Sequence, residues 1–278
     1  MLIRVGSRGS RLALTQSERA AEALRGPRGG QSIEIALVPI TTAGDRDRTK
    51  PFGQIGERGV FVKELEEALL AGRIDVAVHS AKDMTSTDTE GLSVGAYPAR
   101  EDPRDALCGA SELRPGMRIG TASVRRRAQL LAFEPTLSIE PLRGNIDTRL
   151  RKRGERGLDA VMLAACGLDR LGLGHEIGRR FDPEQLLPEA GQGALALQVR
   201  AGEEALVARA DDSETRRRVE AERHCVALVG GGCLAPVAAH HDGAMLTALV
   251  ADEDGTWIER RAGTDAEAVA VELLAFVR

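Results

Sequence analysis

The chain is poor in aromatic residues, with a single Trp and a single Tyr, and poor in lysine, with only Lys50, Lys63, Lys82 and Lys152. So few aromatics leave little for stacking bases, and a net charge of -4 argues against a general nucleic-acid binder. The arginines that make up nearly all of the basic residues are scattered over strand ends, not gathered into one stripe. No apolar run approaches the length of a membrane span, and the start Met1-Leu2-Ile3-Arg4-Val5-Gly6 turns polar too soon for a signal peptide, so a cytoplasmic location is expected. Paired cysteines are missing as well. Cys108, Cys166, Cys225 and Cys233 show no CxxC spacing, so no disulfide framework is expected and any special cysteine is special for its reactivity. What the chain does have is 278 residues, 42% apolar and 29% charged, which suffices for two or three domains with cores of their own.

One stretch organises the rest. In Ile74-Asp75-Val76-Ala77-Val78-His79-Ser80-Ala81-Lys82-Asp83 the apolar residues alternate at the two-residue period of a strand, which then runs into a polar loop. Ligands of open α/β sheets bind beyond the carboxyl ends of strands, and this end carries an imidazole, a hydroxyl, an ammonium and a carboxylate. Asp83 is the candidate for the central group. The same residues also read as a solvated Lys82–Asp83 pair capping the next element.

Around this strand the pattern alternates as βαβ units do. Leu2 to Val5 reads as a strand, Gly6 to Ser10 as a Gly/Ser turn with Arg8 beside its backbone donors, and residues 12 to 24 as a helix. A strand over 32 to 40 and a long loop over 41 to 59 follow. A helix over 60 to 71 carries Phe61, Leu65 and Leu69 on one stripe. A strand over 92 to 97 precedes the charged connection Arg100 to Asp105, taken as the first domain crossing. The alternation then restarts with a strand ending at Gly120, the turn Thr121-Ala122-Ser123 and a helix over 124 to 133 that opens with Arg125, Arg126 and Arg127. Next come a strand over 137 to 142 leading to Arg143-Gly144-Asn145 and Thr148-Arg149, and a strand over 158 to 164 leading to Arg170. Four arginine-bearing strand ends suit the binding of carboxylates or phosphates. Gly191-Gln192-Gly193 and a strand over 194 to 199 mark the return crossing.

The expected fold is α/β: two periplasmic-binding-protein-like α/β domains with a central cleft and a small C-terminal α+β domain. Its expected boundaries are 1–97 with 192–212, 98–191, and 213–278. In the last part a helix over 214 to 228 ends at Val229 to Pro236. Two strands, 245 to 251 and 256 to 261, then pair through Asp252 to Gly255, and a helix closes the chain over 265 to 277. Cys233 lies in the glycine-rich breaker, where missing side chains let a bulky partner approach its sulfur. It reads as a nucleophile, a metal ligand, an attachment point or a quiet buried thiol. His224, Cys225, His240 and His241 crowd the region without matching a usual zinc spacing.

Several segments together resemble one family. They are Val78 to Asp83, Arg100 to Ala106, Gly120 to Arg126, Leu142 to Asn145, Gly191 to Gly193 and Gly231 to Cys233. They occur in unbroken order over nearly the whole chain, and they look like porphobilinogen deaminase, also called hydroxymethylbilane synthase. The resemblance implies three domains around a cleft and a dipyrromethane cofactor tethered by a thioether to Cys233. It implies the head-to-tail condensation of four porphobilinogen molecules, with loss of ammonia, into a linear tetrapyrrole released by hydrolysis. It assigns catalysis to Asp83 and cofactor contacts to Cys233, Ser80, Lys82, Asp83, Thr121, Ser123, Arg125, Arg126 and Gly144. Substrate contacts fall on Arg8, Ser10, Arg143, Arg149, Arg170 and Gln192. It implies no metal, no nucleic acid or membrane partner, and a monomer. The chain departs from the family in the long loop, where Gln54 stands for a frequent lysine and Glu57-Arg58 for a Gly-Lys pair. A non-catalytic two-domain binder of small carboxylates is the alternative that the same architecture would serve.

Overall fold

In a computed structural model of the chain the described residues are 1–25, 33–41, 62–85, 89–230 and 236–277. They divide into two compact units, Met1–Glu101 with Ala194–Val219, and Asp102–Gly193 with Glu220–Arg278. The long-loop positions Gln54, Glu57 and Arg58, together with Phe61 and Cys233, lie outside the described residues.

The first unit begins with β1 (Leu2–Arg8), α1 (Arg11–Arg25), β2 (Glu34–Ile40), α2 (Lys63–Leu70), β3 (Val76–Ser80) and β4 (Leu92–Ala96). The second contains β5 (Asp105–Cys108), β6 (Arg118–Gly120), α3 (Val124–Phe133), β7 (Ser138–Glu140), α4 (Ile146–Glu155), β8 (Ala160–Ala164), α5 (Ala165–Arg170) and β9 (Ile177–Phe181). The chain then returns to the first unit with β10 (Leu195–Arg200) and continues through α6 (Ser213–Leu228). It ends in β11 (Val237–His241), β12 (Leu246–Ala251), β13 (Ile258–Gly263) and α7 (Ala266–Leu274).

The two larger sheets share one plan. The first runs β2-β1-β3-β10-β4, with β1, β2 and β3 parallel and β10 antiparallel to both β3 and β4. The second runs β7-β6-β8-β5-β9, with β6, β7 and β8 parallel and β5 antiparallel to both β8 and β9. In each sheet the antiparallel strand is the first one the chain makes after entering that unit from the other. In each, four strands running the same way therefore deliver their carboxyl ends to one edge, where ligands of such sheets bind.

Both faces of the first sheet are covered. Ile3, Val5, Val76 and Val78 pack with Ala20 and Leu24 of α1 on one side. Ile74 and Ala77 meet Leu65, Ala68 and Leu69 of α2 on the other. Strands buried on both faces lose polar alternation, which is why β8, Ala-Val-Met-Leu-Ala, is a continuous apolar run. Each fully buried Leu or Ile contributes on the order of 1.5–3 kcal/mol. The third sheet, β11-β12-β13, is an antiparallel meander. Ala239, Leu246, Ala248 and Val250 face Cys225, Val226 and Val229 of α6 and Val269, Ala270 and Leu273 of α7. Its other face sets Ala238, Leu249 and Ala251 against Ala128 of α3 and Leu187. Gly255 (φ 67°) sits on the α3 backbone, where a Cβ would lie 2.1 Å from the Ala128 carbonyl oxygen.

Three strands go beyond the sequence reading: β5, β9 and β11. The segment following β3 is a 3-10 turn over Ala81–Asp83, not an open loop. Arg170 is corrected from a strand end to the last turn of α5, because Ala165–Arg170 coils immediately after β8. Among the described residues no helix is long and apolar enough to cross a membrane.

Candidate active site

At the carboxyl edge of the first sheet, β1 and β3 run side by side with Val5 opposite Val76 and Gly6 opposite Ala77. Arg8 and Ser80, the last residues of these strands, therefore leave the sheet together. Ser10 starts α1: its Oγ accepts the Ala13 N–H at 3.3 Å and its carbonyl accepts the Leu14 N–H at 3.0 Å. Its hydroxyl hydrogen stays available for donation across the helix start. Beyond β3, the Ala81 N–H donates to the Ala194 carbonyl at 3.0 Å, and Ala81 and Met84 pack with Tyr97, Ala196 and Val219. This pins the short turn at its two apolar residues, so that Lys82 and Asp83 between them are half-buried. His79 faces elsewhere. It is buried, with Nε2 3.0 Å from Gln198 Oε1, while Gln198 Nε2 donates to Glu66 Oε1 at 2.9 Å. Because that amide oxygen must accept, His79 Nε2 carries a proton.

The second sheet presents an equivalent edge. Thr121 follows β6; its N–H donates to the Glu140 carbonyl at 2.9 Å and its Oγ1 accepts the Ser123 N–H at 3.2 Å. Ser123 caps α3, its Oγ accepting the Arg126 N–H at 3.4 Å. After β7, Arg143 is half-buried, and burial lowers its affinity for its proton. Gly144 has φ 124°, a conformation that side chains avoid, and a Cβ there would lie 2.9 Å from Thr148 Cγ2. This turn starts α4, whose second turn carries Arg149.

Arg125 and Arg126 point inward onto Asp105, the first residue of β5. Asp105 is fully buried and the arginines are 4% and 5% exposed. Asp105 Oδ2 accepts Arg125 Nη1 at 2.7 Å, and Oδ1 accepts Arg126 Nε at 3.0 Å, Arg126 Nη2 at 2.7 Å and Gln192 Nε2 at 2.9 Å. Burial alone would raise the Asp105 carboxyl; the two guanidinium charges and their hydrogen bonds overcome it and hold it well below the usual carboxylate range. Arg125 Nε and Nη2, both buried, have no hydrogen-bond partner.

Gly191-Gln192-Gly193 is held at every residue. The Gly191 N–H donates to Glu222 Oε2 at 2.8 Å, Gln192 Nε2 also donates to the Pro103 carbonyl at 2.7 Å, and the Gly193 carbonyl accepts Arg170 Nη2 at 2.8 Å. Glu222, fully buried on α6, accepts the His241 N–H through Oε1 at 2.8 Å as well. Asp105 and Glu222 are buried acids that hold candidate site residues in place and that sequence reasoning passed over. Asp105 stood in a charged connection and Glu222 in an arginine-rich helix, and only a partner far along the chain distinguishes either from a solvated acid.

Among the described residues no group of three or more His, Cys, Asp or Glu is placed to hold a metal. Cys108, Cys166 and Cys225 are buried, and burial pushes the Cys108 and Cys225 thiols up to about 11. Native protein treated with iodoacetamide at neutral pH should leave Cys108 and Cys225 unmodified in peptide mass spectra. Rapid alkylation of either would contradict their burial.

The sequence comparisons agree with one another. Residues 3–208 match the family described as "Porphobilinogen deaminase, dipyromethane cofactor binding domain". A protein of Syntrophus aciditrophicus named porphobilinogen deaminase is 46% identical over 85% of this chain and 79% of its own length. That of Bacillus subtilis is 44% identical over 96% of this chain and 90% of its own length. Among solved structures, a TRAP periplasmic solute binding protein from Desulfovibrio salexigens superposes with a TM-score of 0.46 at 7% identity, covering 78% of this chain and 74% of that one. With its family model spanning most of the sequence and relatives above 40% identity along nearly its full length, the chain belongs to the porphobilinogen deaminase family.

Proposed function

We propose that the chain condenses four porphobilinogen molecules head to tail into hydroxymethylbilane, releasing one ammonia per unit and adding one water at release, with Asp83 as the catalytic group. Asp83 carries this reading: it is a half-buried carboxylate on a rigid turn at the carboxyl edge of a parallel sheet. From there its oxygens accept pyrrole N–H hydrogen bonds and stabilise the cation left on the substrate as ammonia departs. A preorganised carboxylate does so without the reorganisation that water would need.

The family's cofactor is a dipyrromethane, and it supplies the pyrrole carbon on which the chain is extended. The residues present fit such a group. A dipyrromethane bears several carboxylates, and Arg125 offers a buried, unpartnered donor edge. Cys233 is assigned as the thioether anchor. Ser80, Lys82, Asp83, Thr121, Ser123, Arg125 and Gly144 are assigned to the cofactor, and Arg8, Ser10, Arg143 and Arg149 to substrate carboxylates. Arg126, Arg170 and Gln192 act from the layer behind them. A net-acidic protein needs such local basic positions to hold a growing polyanion. A monomer working in the cytoplasm goes with this reading, as does a three-domain division at 97/98, 191/192 and 212/213. Incubation of the purified protein with porphobilinogen tests it: four ammonia per tetrapyrrole are expected, and ligand binding without ammonia release would contradict it.

A further inference from the structure

The second sheet also carries a cavity at its other edge, where β5 ends and β9 begins, away from the strand ends that form the candidate site. It is walled by the residues after β5, the last turn of α4 and the 3-10 turn Gly174–Glu176 that leads into β9. None of these residues has a part in the function proposed above. The cavity is open to solvent and measures about 300 Å³, the small end for ligand pockets, which suits a molecule of amino-acid size.

Two glycines shape it. Gly109 has φ 102°, and a Cβ there would lie 2.8 Å from Arg153 Cδ and 2.9 Å from its Cζ, so a glycine is what lets the guanidinium rest against the chain. A Cβ at Gly178 would run into the Ala110 carbonyl, so here the two strand ends meet backbone to backbone.

Arg153 differs from the basic residues around it. Arg151 donates to Glu155 Oε1 at 2.8 Å, Lys152 to the Arg143 carbonyl at 3.4 Å, and Arg156 to the Pro141 carbonyl at 3.3 Å. Among the described residues the half-buried Arg153 side chain has neither a hydrogen bond nor an ion pair. The cavity wall also holds an acid, Glu176, which is half-buried as well. Its one ion-pair contact among the described residues is His175 Nε2 at 3.8 Å, too long for a hydrogen bond, on a side chain that is 70% exposed. Arg153 and Glu176 form no pair with each other, yet both act on Cys108, the last residue of β5. Burial pushes that thiol up, the Glu176 charge adds to the rise and the Arg153 charge opposes it. The two charges therefore stand near one buried sulfur with the cavity between them. A lone anion there would gain from Arg153 and lose to Glu176, and a lone cation would do the reverse. A molecule carrying both charges satisfies both walls.

We propose that this cavity binds a small amino acid, its carboxylate on the Arg153 guanidinium and its primary ammonium on the Glu176 carboxylate. Arginine supplies the two parallel N–H bonds that a carboxylate takes, and the half-buried acid supplies the counter-charge that selects against plain anions.

Calorimetric titration of the full chain at pH 7 and low salt tests this, with glycine, 4-aminobutanoate and 6-aminohexanoate as probes whose charged ends stand at increasing separations. Butanoate and butylamine are the controls that carry one charge each. At least one amino acid should bind with a Kd of about 1 mM or below, and at least tenfold tighter than either control. Arg153→Gln and Glu176→Gln should each weaken that binding at least tenfold while melting within about 2 °C of wild type, since both side chains reach solvent. An affinity that survives either substitution would overturn the assignment. Butanoate bound as tightly as the amino acids would make the cavity a plain anion site and overturn it too, as would no heat of binding from any of the three amino acids at about 10 mM.

Discussion

Asp83→Ala should fold and melt as the wild type does yet lose turnover of porphobilinogen by roughly 10³-fold, the scale on which a preorganised charge acts on a developing one. The argument for intact folding is local. The turn over Ala81–Asp83 is held by buried Ala81 and Met84 and by the Ala81 N–H to Ala194 bond, none of which involves the Asp83 side chain. Truncating a half-buried acid there leaves that framework in place. The argument for lost turnover is chemical: no other carboxylate lies on the turn, and Lys82 beside it has the wrong sign for a cation. Steady-state kcat together with circular dichroism and a melting curve checks both halves. Activity within tenfold of wild type would take Asp83 out of the reaction.

The second large effect concerns stability. Asp105→Asn keeps the shape of the side chain but leaves Arg125 and Arg126, both buried, without their counter-charge. Breaking a buried pair from one side costs about 3–5 kcal/mol, which corresponds to a fall of roughly 10 °C in melting temperature for a chain of this size. The pH dependence has a defined sign. Asp105 has a folded-state pKa below its unfolded one, so the unfolded chain takes up that proton first as pH falls. The contribution is complete above the unfolded value of about 4 and is lost progressively below it. Asp105→Asn should therefore be less stable at neutral pH and lose less than the wild type on acidification. Melting curves from neutral pH down to about pH 3 test this, and equal acid sensitivity in the two proteins would contradict it.

Much of this organisation is legible in the sequence because burial writes a period into it. The alternation in Ile74 to Ser80 marks β3, and the helix start after Ser123 is visible from the small polar turn Thr121-Ala122-Ser123 before it. Both crossings announce themselves by charge and glycine. Short strands are less legible. β5 is four residues buried throughout, so it has neither alternation nor length to show, and its first residue is an acid whose partners lie 20, 21 and 87 positions away. β9, Ile-Gly-Arg-Arg-Phe, is an edge strand with a glycine and two arginines, and β11 ends in two histidines. Their strand character comes from neighbours, not from propensity. The candidate site was proposed from residue types at strand ends, where arginine, serine and aspartate can also serve the fold, as Arg126 on Asp105 and Arg170 on the Gly193 carbonyl do. Which arginines turn inward was not, because Arg125 and Arg126 look alike until Asp105 is placed between them.

The most direct measurement is the intact mass of the wild type and of Cys233→Ser, each purified from cells supplied with porphobilinogen. The wild type should carry the mass of two linked pyrrole units and Cys233→Ser none. Equal masses for the two proteins, with or without the added pyrroles, would contradict a primer tethered at Cys233 and extended under Asp83.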